Sequence, residues 1–196
     1  EFIPRIVRGE IEFGLGYTEP EAGSDLANMK MTAIDQGDYY LVNGQKTFNT
    51  ESHYADYHWL AAKTDLKASP YKGISLFIVD QRAPGITIRP MITMSGERTN
   101  EVFYDDVKVP KSRLVGEVNK GFYYMMEALM SERNYVFTPS RYYPYLNMLV
   151  DYAKKTTYLG RPLAEDPIVR QKIAQIAVEI ETTQLLPSGL QQPGVP

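Results

Sequence analysis

Residues 38–50 read DYYLVNGQKTFNT, and they carry the clearest β-strand pattern in the chain. Residues 39–43 form a short run of aromatic and aliphatic side chains, and Gly37-Asp38 before them favours a turn. Asn43-Gly44 is typical of a type I′ hairpin turn. We therefore predict that the chain reverses at Asn43-Gly44 and continues as a second strand over residues 45–50.

Similar short runs lie on both sides of this stretch. They are rich in β-branched and aromatic residues, and turn-forming residues separate them. The predicted strands cover residues 29–35, 58–63, 74–80, 85–89, 101–104 and 107–109. Strands at intervals of roughly 8–12 residues favour an antiparallel β-sandwich or β-barrel over a parallel sheet whose strands alternate with helices.

The pattern becomes helical after Gly116. Eleven of the fourteen glycines lie at or before Gly121, so turns are concentrated in the first part of the chain. Apolar residues then recur at helical spacing in a first segment that begins at Phe122 and a second that begins near Tyr145. Gly160 is expected to end the second of these helices.

A third helix is predicted to begin at Asp166-Pro167, an N-cap residue followed by proline at the first helical position. Its apolar stripe runs to about Leu186. The predicted fold class is therefore α+β: an antiparallel β-barrel or sandwich followed by C-terminal helices that form a partial helical bundle.

Composition excludes several classes of protein. The 196 residues include no cysteine and two histidines, which excludes disulfides, thiolate metal sites and a histidine-rich metal centre. A net charge of −3 and a pI near 5.5 give no reason to expect a nucleic-acid partner. No apolar run reaches the ~18–20 residues of a membrane span, and we expect no export signal.

Three segments are candidate functional sites, and the residues alone leave each one open. Residues 18–25, TEPEAGSD, could form an anion-binding loop or an ordinary surface turn. Phe48 could stack on a planar cofactor or be a core residue of a strand. Glu132, at the end of an apolar helical stripe, could be a general base near the buried face or a solvated surface residue.

Together and in this order, these segments resemble the acyl-CoA dehydrogenase family. The resemblance runs from residue 2 to residue 186 and rests on several runs. They are GYTEPEAGSD at 16–25, DYYLVNGQK at 38–46, GISLFIV at 73–79, PGI at 84–86 and NEVFYDDVKVP at 100–110.

The resemblance implies a division into domains. Residues 1–12 correspond to the end of an N-terminal helical domain, and residues 13–116 to the flavin-binding middle β domain. Residues 117–186 correspond to the start of the C-terminal helical domain, and residues 187–196 are an uninformative tail. The chain is expected to be a fragment of a longer protein, and to be inactive as an isolated piece.

The resemblance also implies an activity: an FAD enzyme that introduces an α,β double bond into an acyl-CoA thioester. A carboxylate removes the α-proton, and a hydride passes from the β-carbon to flavin N5. The implied partners are an electron-transfer flavoprotein and further subunits of a homo- or hetero-oligomer, in the cytoplasm or the mitochondrial matrix. The alternatives are a flavin oxidase or monooxygenase on the same scaffold, and a non-catalytic partner subunit of a mixed oligomer.

Site residues are carried over from the resemblance position by position. Glu132 is implied as the catalytic base, with a glutamate beyond the end of this chain as its competitor. Arg133 and Ser24 are implied to contact the substrate, and no metal is implied. The residues implied to bind FAD are Leu15, Gly16, Tyr17, Thr18, Gly23, Ser24, Phe48, Asn49 and Thr50.

Two positions depart from the family pattern. Phe48-Asn49-Thr50 stands where many members have Trp-Ile-Thr, so the stacking ring lacks an indole N–H. Thr156 stands where the family has an arginine that reaches the FAD diphosphate of a neighbouring subunit. That contact is in doubt, or passes to Lys154, Lys155 or a partner chain.

Overall fold

The computed structural model describes the backbone of residues 1–136 and 139–190, and the side-chain environments of residues 1–132 and 140–183. The chain forms two compact units, one of residues 1–127 and one that begins at Ala128. None of the described helices is long and apolar enough to cross a membrane.

The first unit consists mainly of β-strands, and the second mainly of helices. The strands are β1 Phe13–Gly16, β2 Thr32–Asp35, β3 Tyr39–Lys46, β4 Tyr57–Lys63, β5 Ile74–Asp80, β6 Ile86–Ile92, β7 Arg98–Pro110, β8 Leu114–Val115, β9 Thr157–Tyr158 and β10 Arg161–Pro162. The α-helices are α1 Ile3–Val7, α2 Gly121–Val136, α3 Tyr143–Lys155 and α4 Pro167–Leu190.

Eight strands form one sheet in the order β6-β7-β3-β2-β4-β5-β8, with β1 also paired to β4. The sheet is sandwich-like and does not close into a barrel. Most pairs are antiparallel, but β1 and β2 both run parallel to β4, which the antiparallel prediction did not include. The prediction of a β domain followed by helices is confirmed.

The core lies on one face of these strands. Residues two apart on a strand point to the same face, and such pairs supply most of the core. The buried cluster comprises Met31, Ala33, Tyr40, Val42, Leu60, Ala62, Phe77, Val79, Val102, Tyr104, Val107 and Val109.

The hairpin predicted at Asn43-Gly44 is wrong, because β3 runs straight through both residues. The ladder with β7 shifts register between Val42 and Gly44, because Asn43 of β3 stands opposite two residues of β7, Asp105 and Asp106, in a bulge on β7. Gly44 has φ +144°, and a Cβ there would lie 2.9 Å from the Cα of Met31. The chain instead reverses between β2 and β3, around Gly37 at φ +90°.

The residues of this bulge lie on β7, the strand next to β3. Asp106 has φ +50°, and β7 continues through it where two strands were predicted. The Asn43 amide donates to Asp106 Oδ1 at 3.0 Å, and the Asp106 N–H donates to Asn43 Oδ1 at 2.9 Å. These reciprocal bonds satisfy the polar groups that the irregular ladder leaves unpaired.

Helix α4 begins as predicted. Asp166 Oδ1 accepts a hydrogen bond from the Ile168 N–H at 2.8 Å, which caps the helix before Pro167. The helix continues to Leu190, past Leu186, and residues 191–196 lie outside the described residues.

The prediction that Gly160 ends the second helix is wrong. α3 ends at Lys155, and Gly160 forms the turn between β9 and β10 together with Leu159. Both residues have positive φ, +50° and +81°, as in a type I′ turn. A β-hairpin therefore follows the helix directly.

Candidate functional site

Two segments that are distant in sequence meet at one end of β3. The end of β1 and the loop after it supply residues 15–18, and the chain leaving β3 supplies residues 47–50. The Thr47 N–H donates to the Thr18 carbonyl at 2.9 Å, and the Asn49 side-chain amide donates to the Leu15 carbonyl. The structure thus brings together most of the residues implied to bind FAD.

Phe48 projects outward from this junction. Its ring is 62% exposed, whereas Thr47 and Asn49 on either side are buried. Phe48 has φ +55°, a conformation rare for an aromatic residue and costing about 1–3 kcal/mol. The core-residue alternative for Phe48 is therefore wrong, since the backbone turns the ring away from the core.

Asn100 on β7 holds Phe48 in this conformation. The Asn49 N–H donates to the Asn100 carbonyl at 3.0 Å, and the Asn100 side-chain amide donates to the Asn49 carbonyl at 2.8 Å. Asn100 is fully buried, so these bonds are shielded from water. The residues on either side of Phe48 are thus both held by hydrogen bonds, Asn49 to Asn100 and Thr47 to Thr18.

The loop after β1 presents a mixed surface beside Phe48. Leu15 is 44% exposed and Thr18 is half-buried, whereas Gly16 and Tyr17 are buried. Gly23, Ser24 and Thr50 are exposed. The Glu19 and Ala22 backbones exchange two hydrogen bonds of 3.1 Å, so the loop turns tightly before Gly23. An anion-binding arrangement at Ser24 stays a prediction.

A buried ion pair lies beneath the two segments, and sequence analysis missed it. Lys46 Nζ lies 2.9 Å from Glu19 Oε1, and the two side chains are 0% and 4% exposed. Burial lowers the pKa of Lys46 to about 8, although the Glu19 carboxylate opposes this. One signal was available, because Lys46 shares its strand face with the core residues Tyr40 and Val42.

A second buried polar group supports β1. His58 on β4 bonds to Ser52 Oγ through Nε2, at 2.5 Å, and to the Tyr104 hydroxyl through Nδ1. Burial, and then the charge of Lys46, lower the pKa of His58 to about 3, so the ring is neutral at ordinary pH. A Cβ on Gly14 would lie 2.8 Å from the His58 ring, so β1 lies directly on the imidazole.

A surface cleft of about 320 Å³ adjoins Thr50. Thr99 Oγ1 in its lining and the nearby Asn49 Oδ1 are both buried, and neither has a hydrogen-bond partner among the described residues. The cleft is lined by Thr50, Glu51, His53, Tyr54, Thr93, Glu97, Arg98 and Thr99.

These features fit a flavin ring. A flavin needs an apolar flat surface for its ring and polar groups for its ring edge. Phe48 and Leu15 supply exposed apolar surface, Thr18 and Thr50 supply hydroxyls, and Asn49 Oδ1 is an unused acceptor. Among the described residues, no group of three or more His, Cys, Asp or Glu side chains could hold a metal ion.

Two of the residues implied to act on substrate, Glu132 and Arg133, lie on α2. Glu132 is exposed, which agrees with the solvated-surface alternative for this position, and its role as the base stays a prediction. The buried part of the stripe is confined to the start of the helix, where Met125 is fully buried, and Met130 is 68% exposed. The Arg133 side chain lies outside the described residues.

Comparison with known proteins supports the assignment of these segments. The family description "Acyl-CoA dehydrogenase, middle domain" matches residues 14–107, and "Acyl-CoA dehydrogenase, C-terminal domain" matches residues 119–188. Acyl-CoA dehydrogenase FadE29 of Mycobacterium tuberculosis is 49% identical over 134 residues, which cover 68% of this chain and 35% of that protein.

Two solved structures are similar over almost the whole chain. The ChsE4–ChsE5 complex from Mycobacterium tuberculosis superposes with a TM-score of 0.82 at 36% identity, covering 98% of this chain and 51% of that chain. The Tcur3481–Tcur3483 steroid ACAD superposes with a TM-score of 0.81 at 33% identity, covering 96% and 48%. This chain thus spans between about a third and about half of these proteins. It belongs to the acyl-CoA dehydrogenase family.

Proposed function

We propose that the full-length protein is an FAD-dependent acyl-CoA dehydrogenase that forms an α,β double bond in an acyl-CoA thioester. The observation that supports this most strongly is the Phe48 ring, held exposed on a strained backbone beside Thr50 and the loop after β1. A protein has no folding reason to hold an aromatic ring outward at positive φ, and such strain is typical of ligand sites.

In this proposal, FAD lies against Phe48 and Leu15. The hydroxyls of Thr18 and Thr50 bind the edge of its ring, and Tyr17, Asn49 and the glycines at 16 and 23 shape the loop around it. When bound, FAD accepts the hydride that leaves the substrate β-carbon. Ser24 lies at the exposed end of the loop, where it can contact the CoA portion.

Glu132 is the proposed base. Its carboxylate removes the substrate α-proton, which is only weakly acidic, so the pocket must stabilise the charge that develops on the thioester oxygen. Arg133 beside it would help to position the carboxylate and the substrate. The competing base is a glutamate outside this chain, and mutation separates the two.

The test is anaerobic titration of the purified FAD-loaded full-length protein with a panel of acyl-CoA thioesters. We expect one substrate class to bleach the oxidised flavin absorbance, and Glu132→Gln to slow the bleaching by about 10²-fold or more. Glu127→Gln, an exposed glutamate of the same helix, is the matched control and should bleach at the wild-type rate.

Other results would change the proposal in defined ways. Normal bleaching in Glu132→Gln removes Glu132 from the chemistry and points to the competing glutamate. Rapid reoxidation of the bleached flavin by oxygen identifies an oxidase. Slow reoxidation by oxygen, with fast transfer to an electron-transfer flavoprotein, supports the dehydrogenase.

A partner subunit in a mixed oligomer is the second candidate function. Thr156 lies at the end of α3 at the position expected to carry a diphosphate-binding arginine, and its side chain carries no charge. Both similar structures reported above combine two differently named proteins. A full-length protein that holds FAD only when co-expressed with a paralogue would support this candidate, and a flavin-loaded homo-oligomer would contradict it.

A further inference from the structure

The buried ion pair of Lys46 and Glu19 lies next to both segments of the proposed flavin site. Lys46 immediately precedes the segment that carries Phe48, and Glu19 immediately follows Thr18. Lys46 Nζ donates to Glu19 Oε1 at 2.9 Å and to the Tyr17 carbonyl at 3.0 Å. The pair therefore links the two segments on which the proposed FAD site depends.

Three consecutive residues are held from one point on β3. Lys46 Nζ binds Tyr17 and Glu19, and the next backbone N–H, that of Thr47, donates to the Thr18 carbonyl at 2.9 Å. Each of residues 17, 18 and 19 therefore accepts a hydrogen bond from Lys46 or Thr47. Thr18, which is proposed to bind the edge of the flavin ring, is the middle one of these three residues.

Glu19 also binds the two residues that precede β2. Its two carboxylate oxygens accept hydrogen bonds from the N–H groups of Lys30 and Met31, the latter at 3.0 Å. A carboxylate that accepts two N–H bonds and an ammonium is well satisfied although it is buried. Removing the ammonium alone would leave that charge without its counterion.

We propose that Lys46 is a positioning residue for FAD: its ion pair with Glu19 holds residues 17–19 in the arrangement that receives the cofactor, so FAD affinity falls when the ammonium charge is removed. This rests on the proposed function, because it assumes that the loop after β1 binds FAD. It assigns a role to two buried charges that the chemistry itself does not use.

The charges around Lys46 give the direction of a pH effect. Among the described residues, the groups facing its ammonium are the Glu19 carboxylate, the Tyr17 carbonyl and Met29 Sδ at 3.9 Å. His58 is neutral, and its ring binds Tyr104, whose pKa burial raises. Because burial lowers the pKa of Lys46 to about 8, the ammonium is lost as the pH rises through that value, and FAD affinity falls with it.

The experiment measures FAD affinity of the full-length apoprotein by flavin fluorescence at about pH 7 and about pH 9. If only the charged form binds well, the affinity of the wild type falls about tenfold between the two values, in proportion to the binding-competent fraction. The double variant Lys46→Met with Glu19→Gln removes both charges together, so no lone buried charge opposes folding. We expect it to bind at least about tenfold more weakly than the wild type at the lower pH, and to lose the wild type's fall in affinity between the two pH values.

A matched control removes an exposed pair of the same length. Lys111 Nζ lies 2.9 Å from Asp35 Oδ2, with both side chains about half exposed and outside the proposed site. The double variant Lys111→Met with Asp35→Asn should keep the wild-type affinity and pH profile. A Lys46/Glu19 double variant that also keeps both would overturn the positioning role.

Failure of the proposed function gives a different result. If the full-length wild type binds no FAD at either pH, the proposed function fails. The effect of the ion pair on residues 17–19 is then measured by amide hydrogen exchange. Faster exchange at residues 17–19 in the double variant than in the wild type supports the positioning role. Equal exchange there overturns it.

Discussion

The two units of the chain differ in the polar side chains that they bury and the apolar side chains that they expose. In the first unit, buried polar groups such as Lys46, Glu19 and His58 are hydrogen-bonded beneath a loop that carries few large side chains. In the second unit, large apolar side chains are exposed, among them Met148 at 67% and Ile168 at 67%. We infer that the proposed ligand surface depends on this buried polar layer, because hydrogen bonds fix backbone positions that apolar packing leaves free to adjust.

The largest loss of stability should come from Lys46→Met alone. It leaves the Glu19 carboxylate buried without its counterion, which typically costs about 3–5 kcal/mol of the free energy of unfolding. Urea unfolding of the full-length protein measures the change. Lys154→Met, an exposed lysine of the second unit, should change the free energy by less than ~0.5 kcal/mol. Equal changes in the two variants would show that the buried lysine contributes no more to stability than an exposed one.

Acid should weaken the first unit through His58. The folded pKa of about 3 lies below the ordinary value of 6.5, so between these values the unfolded chain binds a proton that the folded chain does not. Stability therefore falls as the pH decreases through this window, by at most ~1.4 kcal/mol per pH unit from this group. His58→Gln should flatten the slope relative to the wild type in urea unfolding at several pH values.

A methyl group on β1 should have a smaller effect. In Gly14→Ala the new Cβ would lie 2.8 Å from a His58 ring that is bonded at both nitrogens, so the ring cannot turn aside. We expect a loss of about 1–3 kcal/mol, as for other overpacked sites. Gly23→Ala is the control, since nothing lies within 4 Å of its Cβ position. Thermal unfolding of both variants compares them, and an unchanged Gly14→Ala would show that β1 does not press on His58.

The smallest effect on stability should come from Phe48→Gly. Glycine relieves the strain at positive φ, but it also increases the entropy of the unfolded chain, so the free energy of unfolding should change by less than ~1 kcal/mol. FAD affinity should nevertheless fall about tenfold, because the stacking surface is gone. Phe48→Trp should retain FAD affinity, and equal affinity in all three proteins would exclude Phe48 from the site.

Sequence patterns predicted the strands well and their irregular points poorly. Strand positions follow from local β-propensity, which explains the close agreement for β5 and β4. Asn43-Gly44 failed because its alternative partner, Asp106, lies 63 residues away and offers the hydrogen bonds that a turn would otherwise need. Gly160 failed for a related reason, since it serves a hairpin that a helix-end rule does not consider.

The candidate site was predictable only through resemblance. Residues 15–18 and 47–50 meet because of long-range hydrogen bonds from Thr47 and Asn49, which no local pattern contains. The outward position of Phe48 depends on a single backbone angle. The ion pair of Lys46 and Glu19 joins residues 27 apart, and only the inward strand position of Lys46 hinted at it.

Residues 15–18 and 47–50 are proposed to form the FAD surface together. The most direct test is amide hydrogen exchange of the full-length protein with and without FAD. We expect slower exchange in both segments when FAD is bound, and no change in the exposed turn at residues 35–38. Protection confined to other parts of the chain, with both segments unchanged, would contradict it.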